Sequence, residues 1–396
     1  MPHVRQRFAS PLLRKLGGLW PVVGLLGPRQ SGKTTIVQQL LGIGEVVSFD
    51  DLETREEASR SPKTFLARLP IPTVIDEVQK APPIFDAIKL RVDRKRIPGS
   101  YFLTGSSAFS SRLDIRESLT GRIGLVELSP LTLAEIKQEP FRPIETMTSP
   151  LPPRSAPRFN SEEIAQHIVA GGMPIPAFLR DASQREFYWR SWLETTLTRD
   201  LARFFKRGYD PDIAFNLLTR MGAILRDGEL PTLNHFPQPA RTLRTYLSAM
   251  QDIFLLRRIS CHPLGTGKEV WLMMDSGLAA YLIGNPLGEG GMLSLVRHFM
   301  WNEWLTQSEY QGKRLERTYY KSARGSPVDI VMNGVPFRIV ASPMGVTKQR
   351  GIEERPLLGA MKTLKSKVGY LVAPVNEAVA PPKNGGIGVL PWGSWS

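Results

Sequence analysis

Eight consecutive residues, Gly27-Pro28-Arg29-Gln30-Ser31-Gly32-Lys33-Thr34, match G-x-x-x-x-G-K-[ST] at every fixed position. The residue types suit a phosphate cradle. Glycines let the backbone curl so that successive N–H groups face one anion. A helix starting there adds the positive end of its dipole. Lys33 can reach the β- and γ-phosphates of a nucleotide, and the Thr34 hydroxyl can ligate magnesium. Gly27 through Thr35 are therefore the expected nucleotide contacts. A second signal is Thr73-Val74-Ile75-Asp76-Glu77, an apolar strand ending in two carboxylates. Phosphoryl transfer to water needs one acid beside the hydrated metal and another to orient or polarise the water. Asp76 is the metal-side candidate and Glu77 the water-side candidate.

Two weaker signals follow. In Phe102-Leu103-Thr104-Gly105-Ser106-Ser107, Thr104 and Ser106 can hydrogen-bond a γ-phosphate from the end of the next strand. Ordinary turn chemistry accounts for the same residues. In Ser118-Leu119-Thr120-Gly121-Arg122, the arginine suits charge stabilisation at a transferring phosphoryl group, in the same chain or from a neighbouring copy. Arg112 and Arg116 compete with Arg122 for that role. The guanine-selecting N-K-x-D pattern is absent, so ATP is the expected nucleotide by elimination, with Mg2+ as its cation.

The elements that position these residues read as strands alternating with helices. Residues 20–26, 45–49, 73–75, 101–103 and 123–128 are short apolar runs expected to be strands. Residues 4–18 read as a basic amphipathic helix, and 36–41, 53–68 and 84–92 as helices. The alternation predicts an α/β fold: a P-loop-type parallel sheet with helices on both faces, over residues 1–140. Residues 141–160 are a proline-rich linker. Residues 161–210 read as helical, 211–258 as short helices, and the rest as a mixture that includes strands at 328–332, 337–341 and 368–372.

The bulk composition narrows the function classes. The chain of 396 residues is long enough for two or three domains. Its formal charge of +14 points to a polyanionic partner: nucleic acid, DNA before RNA, or an acidic protein. The basic residues are spread along the chain, with no polybasic tail. A single cysteine, Cys261, excludes a disulfide framework within the chain and suits a reducing, cytoplasmic compartment. The histidines lack paired metal-ligand spacing, so no zinc site is expected. No apolar run has the roughly 18–20 residues needed to span a bilayer.

Taken in order, GPRQSGKTT, SFDDLETREEA, TVIDEVQKAP, YFLTGSS and SLTGRIGLVELSPLTLAEI resemble the prokaryotic AAA-superfamily ATPases of the archaeal-ATPase-like group. GGMP (171–174), TRDLARF (198–204), RTLRTYLSAMQDIFLLRRI (241–259) and MMDSGLAAYLIG (273–284) resemble the C-terminal domain of unknown function found in that group. The resemblance implies ATP hydrolysis, a winged-helix-like segment over 211–262, and a restriction-endonuclease-like domain over 263–396. It makes 239–250 the second helix of a helix-turn-helix, with Arg241 and Arg244 available to phosphates or base edges. The nuclease-like part departs from its pattern. Asp329 in GSPVDIV matches the family's aspartate, but the Glu-x-Lys position falls at Arg338 and the upstream glutamate near Arg297, with Glu303 six residues on. An inactive, degenerate domain is expected, in which Arg297, Lys321, Arg324 and Arg338 grip phosphate. The overall expectation is an ATPase whose cycle moves a basic C-terminal module, as a homo-oligomer if Arg122 acts between copies. The alternatives are an ATP-switched scaffold with negligible turnover and an ATP-dependent nuclease.

Overall fold

The computed structural model describes residues 5–42, 46–108, 119–141, 157–205, 207–284, 288–312, 318–323, 325 and 327–395. The chain forms two compact units. The first comprises Met1–Leu131 with Asp252–Leu255 and Glu309–Gly312; the second comprises Thr132–Gln251, Leu256–Ser308 and Lys313–Ser396. Among the described residues, no helix is long and apolar enough to cross a membrane.

The first unit holds a five-stranded sheet of β1 (Val22–Leu26), β2 (Val46–Ser48), β3 (Thr73–Asp76), β4 (Tyr101–Gly105) and β5 (Ile123–Glu127). Their order is β2-β3-β4-β1-β5, and every pairing is parallel. Side chains alternate across a strand. Val22, Leu26, Ile75 and Leu103 accordingly enter one apolar cluster, and Val23, Leu25, Val74 and Phe102 another. A strand buried on both sides must be apolar throughout, which is why β1 reads as an unbroken run. Helices Ser10–Leu19, Lys33–Leu41, Leu52–Arg60, Pro62–Arg68 and Pro83–Arg94 accompany the sheet. The single helix expected over 53–68 is two, because Pro62 occupies the first position of a new helix and cannot donate into the preceding one. The unit is completed by later residues: the Tyr310 hydroxyl accepts from the Ser129 amide at 3.2 Å, and the Asp252 carbonyl from the Ala108 amide at 2.6 Å.

The second unit holds a mixed seven-stranded sheet, ordered β12-β11-β10-β9-β8-β6-β7. Its strands are β6 (Leu256–Cys261), β7 (Val270–Met273), β8 (Thr318–Tyr320), β9 (Val328–Met332), β10 (Val335–Ile339), β11 (Val368–Ala373) and β12 (Gly386–Pro391). Residues 256–258 were expected to be helical; Phe254, at φ 58°, leaves helix Ala240–Asp252 and the chain enters β6. β6 pairs with β7 and β8, so the segment expected over 211–262 runs into the sheet of the segment expected over 263–396.

Helix Leu133–Lys137, inside the span expected for the first domain, belongs to the second unit. Thr132 and Glu135 form a capping box at its start, and the buried Glu303 carboxylate accepts from the Leu133 amide at 2.8 Å. Burial pushes the Glu303 carboxyl up to about 8. Asp275 unites two of the sequence motifs. It accepts from the amides of Gly172 and Met173 in GGMP and from Gly277 and Leu278 in its own helix. Burial raises its carboxyl to about 6 despite those four donors.

Candidate nucleotide site

All strands of the first sheet run one way, so their carboxyl ends share one edge, where ligands of such sheets bind. β1 delivers Gly27 to that edge, β3 delivers Asp76 and Glu77, and β4 delivers Thr104 to Ser106. The register pairs Leu25 with Thr104 and Ile75 with Leu103, which sets Asp76 and Thr104 at one level.

The loop after β1 is shaped by its glycines. A Cβ on Gly27 would meet the Leu128 carbonyl oxygen at 2.4 Å, and Gly32 adopts φ 90°. Gln30 shares the left-handed region at φ 64°. Helix Lys33–Leu41 then begins, and the Ile36 amide donates to the Gly32 carbonyl at 3.0 Å. The amides of Lys33, Thr34 and Thr35 precede that ladder and have no acceptor within the helix. The Lys33 side chain, 5% exposed, curls back and donates from Nζ to the carbonyls of Gly27 at 3.1 Å and Pro28 at 2.8 Å. The Ser31 hydroxyl is buried and has no hydrogen-bond partner among the described residues. Helix amides, a lysine resting on its own loop and an unpaired hydroxyl form a donor set that fits a polyphosphate.

The two carboxylates are held differently. Thr104 Oγ1 donates to Asp76 Oδ1, while Oδ2 accepts no hydrogen bond among the described residues. An open carboxylate oxygen level with the loop suits a metal-bound water. Glu77 sits in left-handed backbone at φ 53°, and its Oε2 accepts from Ser106 Oγ at 3.0 Å and Gln79 Nε2 at 2.7 Å. Burial raises the Glu77 carboxyl above its ordinary value and the Asp76 charge adds to this; Lys33 and the Ser106 and Gln79 hydrogen bonds oppose both.

Residues 20–137 match the family model described as AAA domain. That segment is an AAA-type P-loop domain. Uncharacterised proteins of Mycobacterium tuberculosis and Mycobacterium bovis are each 29% identical to the chain over 293 residues, or 71% of it. The match spans 60% of those relatives' length. Among solved structures, a Walker-type ATPase of Pyrococcus abyssi is similar with TM-score 0.39 and 12% identity, over 69% of this chain and 94% of that one. A signal-transduction ATPase with a tetratricopeptide-repeat sensor from Pyrococcus horikoshii gives TM-score 0.29 and 12% identity, over 76% and 47%.

Within the AAA domain, Arg122 lies at the wrong end of the sheet to reach a nucleotide bound by its own chain. Its carbonyl accepts from the Val22 amide at 3.2 Å, at the start of β1, whereas the phosphate loop follows Leu26. At about 3.3 Å per residue, roughly 15 Å of strand separates the two ends. Its guanidinium grips Asp93 with two bonds, 2.6 and 2.9 Å. Arg112 and Arg116 fall outside the described residues. An arginine beside the loop that the sequence did not single out is Arg7, expected on a basic helical face. It is buried instead, donating from Nη1 to the Ser31 carbonyl at 2.9 Å and from Nη2 to the Ser129 carbonyl at 2.6 Å. Its bonds tie the phosphate loop to the segment after β5. Gln79 was also missed, although it lies within the quoted TVIDEVQKAP.

The residues expected to contact nucleic acid divide into groups. Arg241 and Arg244 are exposed on one face of helix Ala240–Asp252, whose other face buries Leu243, Tyr246, Leu247 and Met250. Arg297, Lys321 and Arg338 line a single cavity of the second unit. Arg297 is paired with Asp329 and Arg338 with Glu353, both at 2.5 Å, so neither is an open surface charge. Arg324 lies outside the described residues, as do residues 142–156 of the expected linker.

Proposed function

We propose that this protein binds Mg-ATP at Gly27–Thr35 and hydrolyses it. The observation that carries this reading is the convergence of Lys33, Asp76, Thr104, Glu77 and Ser106 at one end of one parallel sheet. The loop amides, the Ser31 hydroxyl and Lys33 take the phosphates. Lys33 exchanges two neutral carbonyls for charged oxygens, which strengthens its hydrogen bonds. The Thr34 hydroxyl and the open Asp76 oxygen would hold the magnesium ion, which supplies charge neutralisation at the phosphoryl oxygens. Thr104 fixes the Asp76 carboxylate. Glu77, aimed by Ser106 and Gln79, orients the attacking water and takes its proton. Only an arginine from a second copy can complete such a site through Arg122, so turnover that rises with protein concentration would support that role.

The test is phosphate release by the full-length chain. Lys33→Ala is expected to lower it by at least about 100-fold, the usual consequence of losing one donor to a transferring phosphoryl group. Equal turnover in that variant would remove the mechanism. The charge of +14 and the exposed Arg241 and Arg244 support a polyanionic partner for the second unit. Binding to unrelated duplex and single strands that weakens steeply with salt would identify that partner as nucleic acid.

A further inference from the structure

Arg297, Arg338, Lys268 and Lys321 surround one cavity of about 620 Å³ in the second unit, with Glu229 the lone carboxylate among the lining residues. The arginines are held on two sides and left open on a third. Arg297, 5% exposed, donates from Nε to Asp329 Oδ1 at 2.5 Å and from Nη1 to the Gly228 carbonyl at 2.6 Å. Its Nη2 makes no hydrogen bond among the described residues. Arg338 repeats the arrangement, from Nε to Glu353 at 2.5 Å and from Nη1 to the Pro327 carbonyl at 2.6 Å, again with Nη2 unengaged among the described residues. Asp329 is fixed in turn by the Ile339 amide at 2.7 Å.

Each guanidinium thus belongs to a residue that lines the cavity and keeps one nitrogen that no described protein group engages. Asp329 and Glu353 balance the arginines, and two lysines remain against Glu229. Lys268 donates to a neutral acceptor, Asn234 Oδ1, at 2.8 Å; the Lys321 carbonyl accepts from the Thr266 amide at 2.8 Å, while its ammonium group makes no hydrogen bond or ion pair among the described residues. Fixed guanidinium edges with ammonium groups beside them match the several oxygens of a tetrahedral anion. Depth narrows the choice. The phosphates along an intact duplex are held out at its surface and cannot descend to a residue as buried as Arg297. A phosphate on a small molecule, or at the end of a strand, can enter. The volume lies within the range of small-molecule sites.

We propose that this cavity binds a phosphate monoester, through the free edges of Arg297 and Arg338 and the ammonium groups of Lys268 and Lys321. The site lies wholly in the second unit and does not depend on the reading of the nucleotide loop.

The experiment uses the full-length chain carrying Lys33→Ala, which weakens the loop's own phosphate affinity, and the lysine variants below assign what remains to the cavity. One fluorescent single strand is titrated in two forms, with a 5′-phosphate and with a 5′-hydroxyl, and AMP and inorganic phosphate are titrated by calorimetry. Two sources share the chemistry. Heat from AMP or phosphate assigns the site to free phosphate esters; preference for the phosphorylated strand without such heat assigns it to a strand terminus. In either case Lys321→Ala and Lys268→Ala, both at exposed positions, are expected to weaken binding about tenfold or more with the unfolding midpoint unchanged. Equal binding of the two strands with no heat from AMP or phosphate overturns the proposal. Affinities that neither lysine variant changes overturn it too.

Discussion

Both units assemble positive groups around a space suited to phosphate, and they use opposite materials. In the AAA domain the donors are main-chain amides and one lysine on neighbouring residues, and the lysine rests on neutral carbonyls. In the second unit the donors are side chains from separate elements, and each arginine is backed by a carboxylate. Amides carry no formal charge, so a loop of them can wait for an anion at small cost. A buried guanidinium without a counter-charge is expensive, so Asp329 must be in place before any ligand arrives. The first arrangement separates function from stability; the second joins them.

The comparison can be broken most decisively in the first unit. Glu77→Gln is expected to lower kcat by about 100-fold or more while nucleotide still binds, because only the proton acceptor is lost. Lys33→Ala should lower both turnover and nucleotide affinity, and steady-state kinetics with binding calorimetry separates the two. If Glu77→Gln turns over normally, the protein is an ATP-switched binder. In the second unit the same kind of change should act on folding. Asp329→Ala removes one partner of a buried ion pair and is expected to cost about 3–5 kcal/mol, read by urea unfolding, whereas Lys33→Ala costs much less. Similar losses for the two variants would end the contrast.

Two smaller effects sharpen it. Arg7→Ala keeps every phosphate contact but frees the loop, and should weaken nucleotide binding about tenfold through two lost charge-assisted hydrogen bonds. Gln79→Ala should move the acid limb of the kcat profile to higher pH. The Glu77 carboxyl is raised above 4.5 in the folded chain, and Glu77 acts when ionised, so turnover is lost as pH falls through that raised value. Gln79 donates to the ionised form, and its loss raises the value further. A limb that stays in place would show that Glu77 is not the titrating group.

The candidate nucleotide site was legible because its parts are local. Gly27 to Thr34 are contiguous, and Asp76 and Glu77 announce themselves by ending a run that is apolar on both faces. Arg7 was not legible, because its acceptors lie 24 and 122 residues away and no pattern joins them. Arg122 was picked out by type. Type does not say which end of a strand a residue occupies, and in a parallel sheet an arginine before a strand lies opposite a loop that follows one. Arg297, Lys321 and Arg338 were grouped in the sequence and line one cavity, yet Lys268 was absent from the group, and the ion pairs to Asp329 and Glu353 change what the arginines can do. β7, β8 and β12 escaped because short apolar runs such as VWLM and TYY fit a buried helix turn as well as a strand.

The interrupted course of the chain has a consequence for the nascent protein. β1 to β5 have all been synthesised by Glu127, but the hydroxyl that receives the Ser129 amide belongs to Tyr310. At about 5–20 residues per second, the ribosome reaches that tyrosine on the order of tens of seconds later. Until then the segment beyond β5, which also supplies the Arg7 acceptor, is only partly tethered. A gene fragment ending at residue 131 would encode the complete parallel sheet and leave that tether permanently missing.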